Sequence, residues 1–169
     1  MTAELTRLVS LTKIGPAGNA VLVRATPEEC AALAIRMNIP AIQSLECLFS
    51  LTPDDDGVSI LAQGRLRARL TRVCVVSAED FETEVEDEFE LCFVPAGTEE
   101  DDPDPELIDE MPYEGNAIDL GEATAQQLGL ALDPYPRIEG ATLPDLTEDD
   151  DGSPFSVLAR RAGPDKTRH

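Results

Sequence analysis

The stretch VSILAQGRLRARLTRVCVVSAEDFETEVEDEFELCFV, residues 58–94, decides the fold. In its first half Val58, Ile60, Ala62, Leu66, Ala68 and Leu70 alternate with Ser59, Gln63, Arg65, Arg67 and Arg69. In its second half Phe81, Val85, Phe89, Leu91 and Phe93 alternate with Glu82, Glu84, Glu86, Glu88 and Glu90. Successive side chains of a strand point to opposite faces, so this period predicts two strands, at about 58–76 and 81–94. The joining segment, around Ser77 to Asp80, is short, which makes the pair an antiparallel hairpin with its apolar faces on one side. The outer face then carries Arg65, Arg67 and Arg69 beside the glutamates. Three arginines at alternate positions read either as a nucleic-acid stripe or as cross-strand Arg–Glu pairs, at about 0.2–1 kcal/mol each. The glutamates opposite favour the pairs.

Before the hairpin, residues 5–11 and 19–25 read as short strands around the turn KIGPAGNA. In ATPEECAALAIRMNIP, Thr26 suits an N-cap, Pro27 suits the first helical position, and Glu29 completes a capping box. Cys30, Leu33, Ala34 and Met37 fall on one face of a helix over about 27–37, which Pro40 ends. Residues 41–51 form a further strand, and TPDDDG is a turn.

After the hairpin, the Pro-rich, acidic residues 96–116 predict a mobile loop. Order returns in NAIDLGEATAQQLGLALDPYPRIEGA, where Asp119 caps a second helix, Glu122 supplies a capping box, and Pro134 stops it. The fold class that follows is α+β. It is a twisted antiparallel sheet, with curling toward a barrel left open, built on the 58–94 hairpin and covered by two helices. Residues 1–138 form one domain; 139–169 form an acidic loop and basic tail with a docking patch at 154–159.

The chain has 169 residues, 42% of them hydrophobic, so a folded core is expected. No run approaches the roughly 18 apolar residues of a membrane span. The N-terminus lacks the apolar region of a signal peptide, which predicts a cytoplasmic protein. Cys30, Cys47, Cys74 and Cys92 include no C-x-x-C pair and read as free thiols. Net charge is -21, and it is unevenly placed. Residues 1–75 hold 8 basic and 7 acidic side chains, residues 76–158 hold 1 and 26, and residues 159–169 hold 4 and 1. A phosphate-binding chain shows the opposite balance. The acidic half either confers solubility or meets a basic protein.

Catalytic chemistry finds little support. The one histidine, His169, is the last residue, so no Ser–His–Asp or Cys–His arrangement is available within the chain. There is no phosphate-binding glycine motif. DDDG and EDDDG lack the ligand spacing of a calcium loop. A two-metal nuclease needs carboxylates clustered on a rigid scaffold, whereas most acids here lie in loops or on an exposed strand face.

The order RVCVVSAEDFETEVEDEFELCFVP, acidic loop, IDLGEATAQQLGLALDPYPRIEGA, PFSVLARR resembles the YceD family of large ribosomal RNA subunit accumulation proteins. The likeness is strongest to its alphaproteobacterial branch and runs from the first helix to Leu158. Its motif positions are Cys74, Asp119, Leu120, Asp133, Pro134, Tyr135, Pro136 and Arg137. Many members elsewhere carry a C-x-x-C at the hairpin and a second cysteine pair after the helix, which suggests zinc. Here Ser77 stands at the second cysteine position and the later pair is replaced near DPYPR, so no metal or other cofactor is expected. Gln126 stands where a Glu is usual.

The resemblance implies a non-enzymatic role in large-subunit biogenesis. Two modes of action stay open. In one, Arg65, Arg67, Arg69, Arg72 and Arg137, with Arg160 and Arg161, contact large-subunit rRNA. In the other, Glu99, Glu100, Asp101, Asp102, Asp104, Glu106, Asp149, Asp150 and Asp151 hold a basic large-subunit ribosomal protein. A general acidic adaptor unrelated to RNA is the alternative. LDPYPR also has a purely structural reading: Asp133 orients, Pro134 and Pro136 stiffen the turn, and Tyr135 and Arg137 pack on the sheet.

Overall fold

The computed structural model describes residues 3–98 and 106–141. The chain divides into two compact units, Met1–Glu139 and Gly140–His169, and every element below lies in the first. The strands are β1 (Leu8–Ser10), β2 (Asn19–Arg24), β3 (Ala41–Pro53), β4 (Ile60–Val73), β5 (Asp80–Pro95), β6 (Asp109–Tyr113) and β7 (Ala117–Asp119). The helices are α1 (Pro27–Arg36) and α2 (Leu120–Ala131). A five-stranded sheet runs β2-β3-β4-β5-β6, and β1 pairs with β7 in a small second sheet.

The fold is α+β, and its hairpin is the long one that the alternation predicts. Ile60, Ala62, Leu66, Ala68 and Leu70 of β4 are buried, while Gln63, Arg65, Arg67 and Arg69 between them are exposed. Two expectations change. The sheet is open and not closed into a barrel. It is also not wholly antiparallel, because β6 runs parallel to the end of β5, from Leu91↔Asp109 to Pro95↔Tyr113. β6 falls within residues 96–116, read above as loop. Its signal is short, with Met111 half-buried and Tyr113 buried, and the Tyr113 hydroxyl donates to the Val58 carbonyl. Pro112 fits there because an edge strand needs fewer N–H donors. The other acidic residues named in that stretch, 99–104, lie outside the described residues, as do Asp149–Asp151, Arg160, Arg161 and the patch at 154–159.

Both helices contribute to one core with the inward sheet face. Leu33 of α1 and Leu120 and Leu128 of α2 are fully buried with Leu45, Phe49, Leu51, Leu70 and Phe93. Each such side chain contributes about 1.5–3 kcal/mol on leaving water. α1 starts with the predicted capping box: Glu29 N–H donates to Thr26 Oγ1, and Thr26 N–H to Glu29 Oε2. Its end is set by Asn38 rather than Pro40. Asn38 takes a left-handed φ of 54°, and the Ile39 N–H reaches back to the Ala34 carbonyl at 3.0 Å, a stop that needs the conformation Asn tolerates. At α2, Asp119 Oδ1 accepts from the N–H groups of Gly121 and Glu122. Glu122 does not return to the cap as expected; its carboxylate takes Arg36 of α1 at 3.0 Å.

Arg7 ties three parts together. Its guanidinium donates to both oxygens of Glu29 at 2.8 Å, its N–H donates to Asp119 Oδ1, and its carbonyl accepts from Leu120 N–H. The Arg7 hydrogen bonds, helped by the Thr26 N–H, hold the Glu29 carboxyl down to about 2 from its ordinary 4.5 against the opposing effect of burial. A depressed folded-state value gives stability that is present above the unfolded value and lost as pH falls. Glu29→Gln is therefore expected to cost about 1–2 kcal/mol at pH 7, after discounting for partial exposure of Arg7. It should also flatten the loss of stability between pH 4.5 and about 2, as read from urea midpoints across that range. An unchanged pH profile would remove this pair from the account.

Among the described residues no helix is long and apolar enough to cross a membrane.

Candidate functional site

The sheet face turned away from the helices carries the charge. In register across β2, β3, β4 and β5, one row reads Leu22, Leu48, Arg65, Glu88, and the next reads Arg24, Glu46, Arg67, Glu86. Arg65 Nε lies 3.0 Å from Glu88, and Arg67 Nη2 lies 2.7 Å from Glu86. Arg69 is shared between Glu84 at 3.6 Å and Glu82 at 3.9 Å. All these side chains are 58–77% exposed, so each pair contributes at most about 1 kcal/mol. Of the two readings of the arginine row, the structure contains the cross-strand pairs. Glu90 instead accepts from the Gln63 amide. Among the described residues, hollows of about 640 and 460 Å3 open on this face, the first between Leu48, Arg65, Glu88 and Glu90.

Arg72 does not belong to that row. Its even number places it inward with Leu70, it is 9% exposed, and its Nη2 donates to the Asp133 carbonyl at 2.7 Å. There it holds the chain after α2, away from the outward row of Arg65, Arg67 and Arg69 with which it was grouped as a candidate RNA contact. Residues 133–138 form a strap across the turn of the hairpin. The Tyr135 N–H donates to Asp133 Oδ1, the Val75 N–H to the Pro136 carbonyl, and the Ile138 N–H to Cys74 Sγ at 3.4 Å. Pro136 is buried in it. Tyr135 is 70% exposed and Arg137 is exposed, so these two face water instead of packing on the sheet. LDPYPR is thus structural at Asp133 and Pro136 and leaves an aromatic and a cation outside. The alternation of β4 itself turns Arg72 inward with Leu66, Ala68 and Leu70; what it does not show is the Asp133 carbonyl that receives the guanidinium.

The turn itself contains Ala78 at a φ of 58°. Left-handed backbone costs an L-residue roughly 1 kcal/mol or more, and glycine escapes that cost. Ala78→Gly is expected to raise stability by about 0.5 kcal/mol, a rise of a degree or two in Tm, because the unfolded chain gains freedom as well. A lower Tm would contradict the stated backbone strain. Beside it, Cys74 is buried, and hydrogen bonds from Ser77 first and the Ile138 N–H second hold its thiol down to about 7.

A family model described as large ribosomal RNA subunit accumulation protein YceD matches residues 62–159, more than half of the chain. The chain belongs to the YceD family. No curated protein and no solved structure matches it. The YceD match covers the charged hairpin, α2 and the strap, and its description names rRNA accumulation and no catalysed reaction. Within it Asp119 is a cap, Leu120 is fully buried, and Gly121 lies against the backbone of residues 5–7.

The zinc arrangement suggested for other YceD members does not fit the residues here. Cys74 offers one thiol, Ser77 offers a hydroxyl that donates to it, and the strap offers a backbone N–H. Among the described residues no group of three or more His, Cys, Asp or Glu side chains is placed to hold a metal ion.

Proposed function

We propose that this YceD-family chain acts in large-subunit biogenesis as a cytoplasmic binding factor without a catalytic step, holding a basic ribosomal protein of the large subunit through its acidic half. The observation that carries the reading is the outward row of Glu82, Glu84, Glu86, Glu88 and Glu90, against which only Arg65, Arg67 and Arg69 are set. Cations already paired to carboxylates have less to offer a phosphate, and the excess acid repels RNA at longer range. Glu99, Glu100, Asp101, Asp102, Asp104, Glu106, Asp149, Asp150 and Asp151 add to the same negative charge in sequence.

Direct rRNA contact is the second reading. It is favoured by the family description and by the exposure of Arg65, Arg67, Arg69 and Arg137. The two part company in cells. Chemical crosslinking of the full chain followed by mass spectrometry is expected to recover a basic large-subunit ribosomal protein. UV crosslinking followed by RNA sequencing is expected to recover no defined rRNA site. A single enriched rRNA site, with no ribosomal protein attached, would overturn the first reading in favour of the second.

A further inference from the structure

β5 is longer than the strand beside it. β6 pairs with Leu91–Pro95 alone, so among the described residues Asp80–Glu90 is hydrogen-bonded to a strand on its β4 side only. The parity of that edge follows from the turn. The Cys74 N–H donates to the Glu79 carbonyl at 2.9 Å, and the register runs without a shift from Val73↔Asp80 to Ile60↔Phe93. Antiparallel pairs alternate between bonded and non-bonded. Even-numbered residues of β5 therefore direct N–H and C=O away from β4. Ala96 agrees, since its N–H donates to the Tyr113 carbonyl on the β6 side.

An open edge usually carries a proline, a bulge or an inward charge against unwanted pairing. Asp80–Glu90 contains no proline and no bulge. Its inward face holds one carboxylate, Asp87 opposite Leu66, and its outward face carries charge of one sign. Glu82, Glu84, Glu86, Glu88 and Glu90 repel a second copy of this strand and attract a strand with cations at alternate positions. On the other face Phe81, Val85 and Phe89 are half-buried, with Thr83 and Asp87 between them, leaving apolar surface at three positions for the intervening residues of an incoming strand.

We infer that the edge of β5 from Asp80 to Glu90 binds an extended polypeptide segment, basic at alternate residues and apolar between them, as an added strand. The inference rests on the reading of the partner as a basic protein, and it adds the mode of binding. Main-chain hydrogen bonds supply affinity, and the glutamate row supplies selection.

The probe is a synthetic peptide of alternating lysine and valine, about ten residues long to match the edge. Added to the full chain, it is expected to slow amide exchange roughly tenfold or more at Glu82, Glu84, Glu86 and Glu88. Glu86→Pro removes one outward N–H and spares the β4 ladder, so it should weaken the peptide about tenfold beyond Glu86→Gln. Should Glu86→Pro fail to fold, the exchange measurement on the unaltered chain decides alone. Binding with no slowed exchange at these amides would overturn the inference, as would amides already protected before peptide is added, because the chain's own residues would then fill the edge. Ribosomal-protein crosslinks with no such protection sink the edge alone. Protection by the peptide with no ribosomal-protein crosslinks in cells sinks the proposed function and leaves the edge standing.

Discussion

Gly121→Val is expected to cost about 3–5 kcal/mol of folding stability, a large part of the roughly 5–15 kcal/mol that holds a domain together. A Cβ at Gly121 would lie 2.7 Å from the Arg7 nitrogen, the Leu5 oxygen and the Thr6 Cα, all backbone atoms. Nothing there can rotate out of the way. The start of α2 and the segment before β1 would have to separate, breaking the Leu120–Arg7 hydrogen bond and the small β1–β7 sheet. Gly64 gives the contrast. A Cβ there meets the ring of Phe89, which crosses over it and packs edge-on against Phe49 at 5.8 Å. A ring can swing aside, so Gly64→Ala should cost no more than about half as much, and Phe89→Leu in the same chain should recover part of it. Urea unfolding of the three variants checks the ordering. A Gly121→Val protein as stable as Gly64→Ala would contradict the close backbone approach.

The second large effect is on binding. Replacing Glu82, Glu84, Glu86, Glu88 and Glu90 together by Gln is expected to weaken binding of the proposed basic partner about 100-fold at low salt. Exposed charge pairs contribute about 0.2–1 kcal/mol each, and five of them reach the roughly 2.7 kcal/mol that a hundredfold requires. For the unaltered chain, affinity should fall steeply with added salt, as the screening length shrinks from about 10 Å at 0.1 M to about 3 Å at 1 M. Replacing Arg65, Arg67 and Arg69 by Gln breaks the same ion pairs and frees the carboxylates. It should leave affinity unchanged or raise it. Titration calorimetry on the two variants separates charge sign from any shared loss of stability. A salt-insensitive complex would point to an apolar interface.

The hairpin was legible because one face is wet and the other dry, so period 2 is written directly into Val58–Leu70 and Phe81–Phe93. The Arg–Glu pairing was legible for the same reason, since opposite charges in register have nowhere better to go. α1 was legible through Thr26, Pro27 and Glu29, whose cap is local. What escaped depends on distant partners. Glu122 abandoned its cap for Arg36, which no local rule anticipates. β6 needed Leu91–Pro95 beside it before five residues with one buried side chain became a strand. Arg72 follows the inward parity of Leu70, but the carbonyl that receives it lies 61 residues along the chain. At the charged face, the sequence named the arginines and the glutamates but not the open edge that joins them, because pairing length is a property of two strands.

In the proposed function the glutamate row, not the arginine row, carries this chain's part in large-subunit assembly. The direct measurement is large-subunit rRNA in cells whose own gene is replaced by the five-glutamate Gln variant or by the three-arginine Gln variant. Both variants lose the same ion pairs. The glutamate variant is expected to lower rRNA as far as deletion does, while the arginine variant leaves it at the normal level. Normal rRNA with the glutamates gone, and loss with the arginines gone, would contradict it.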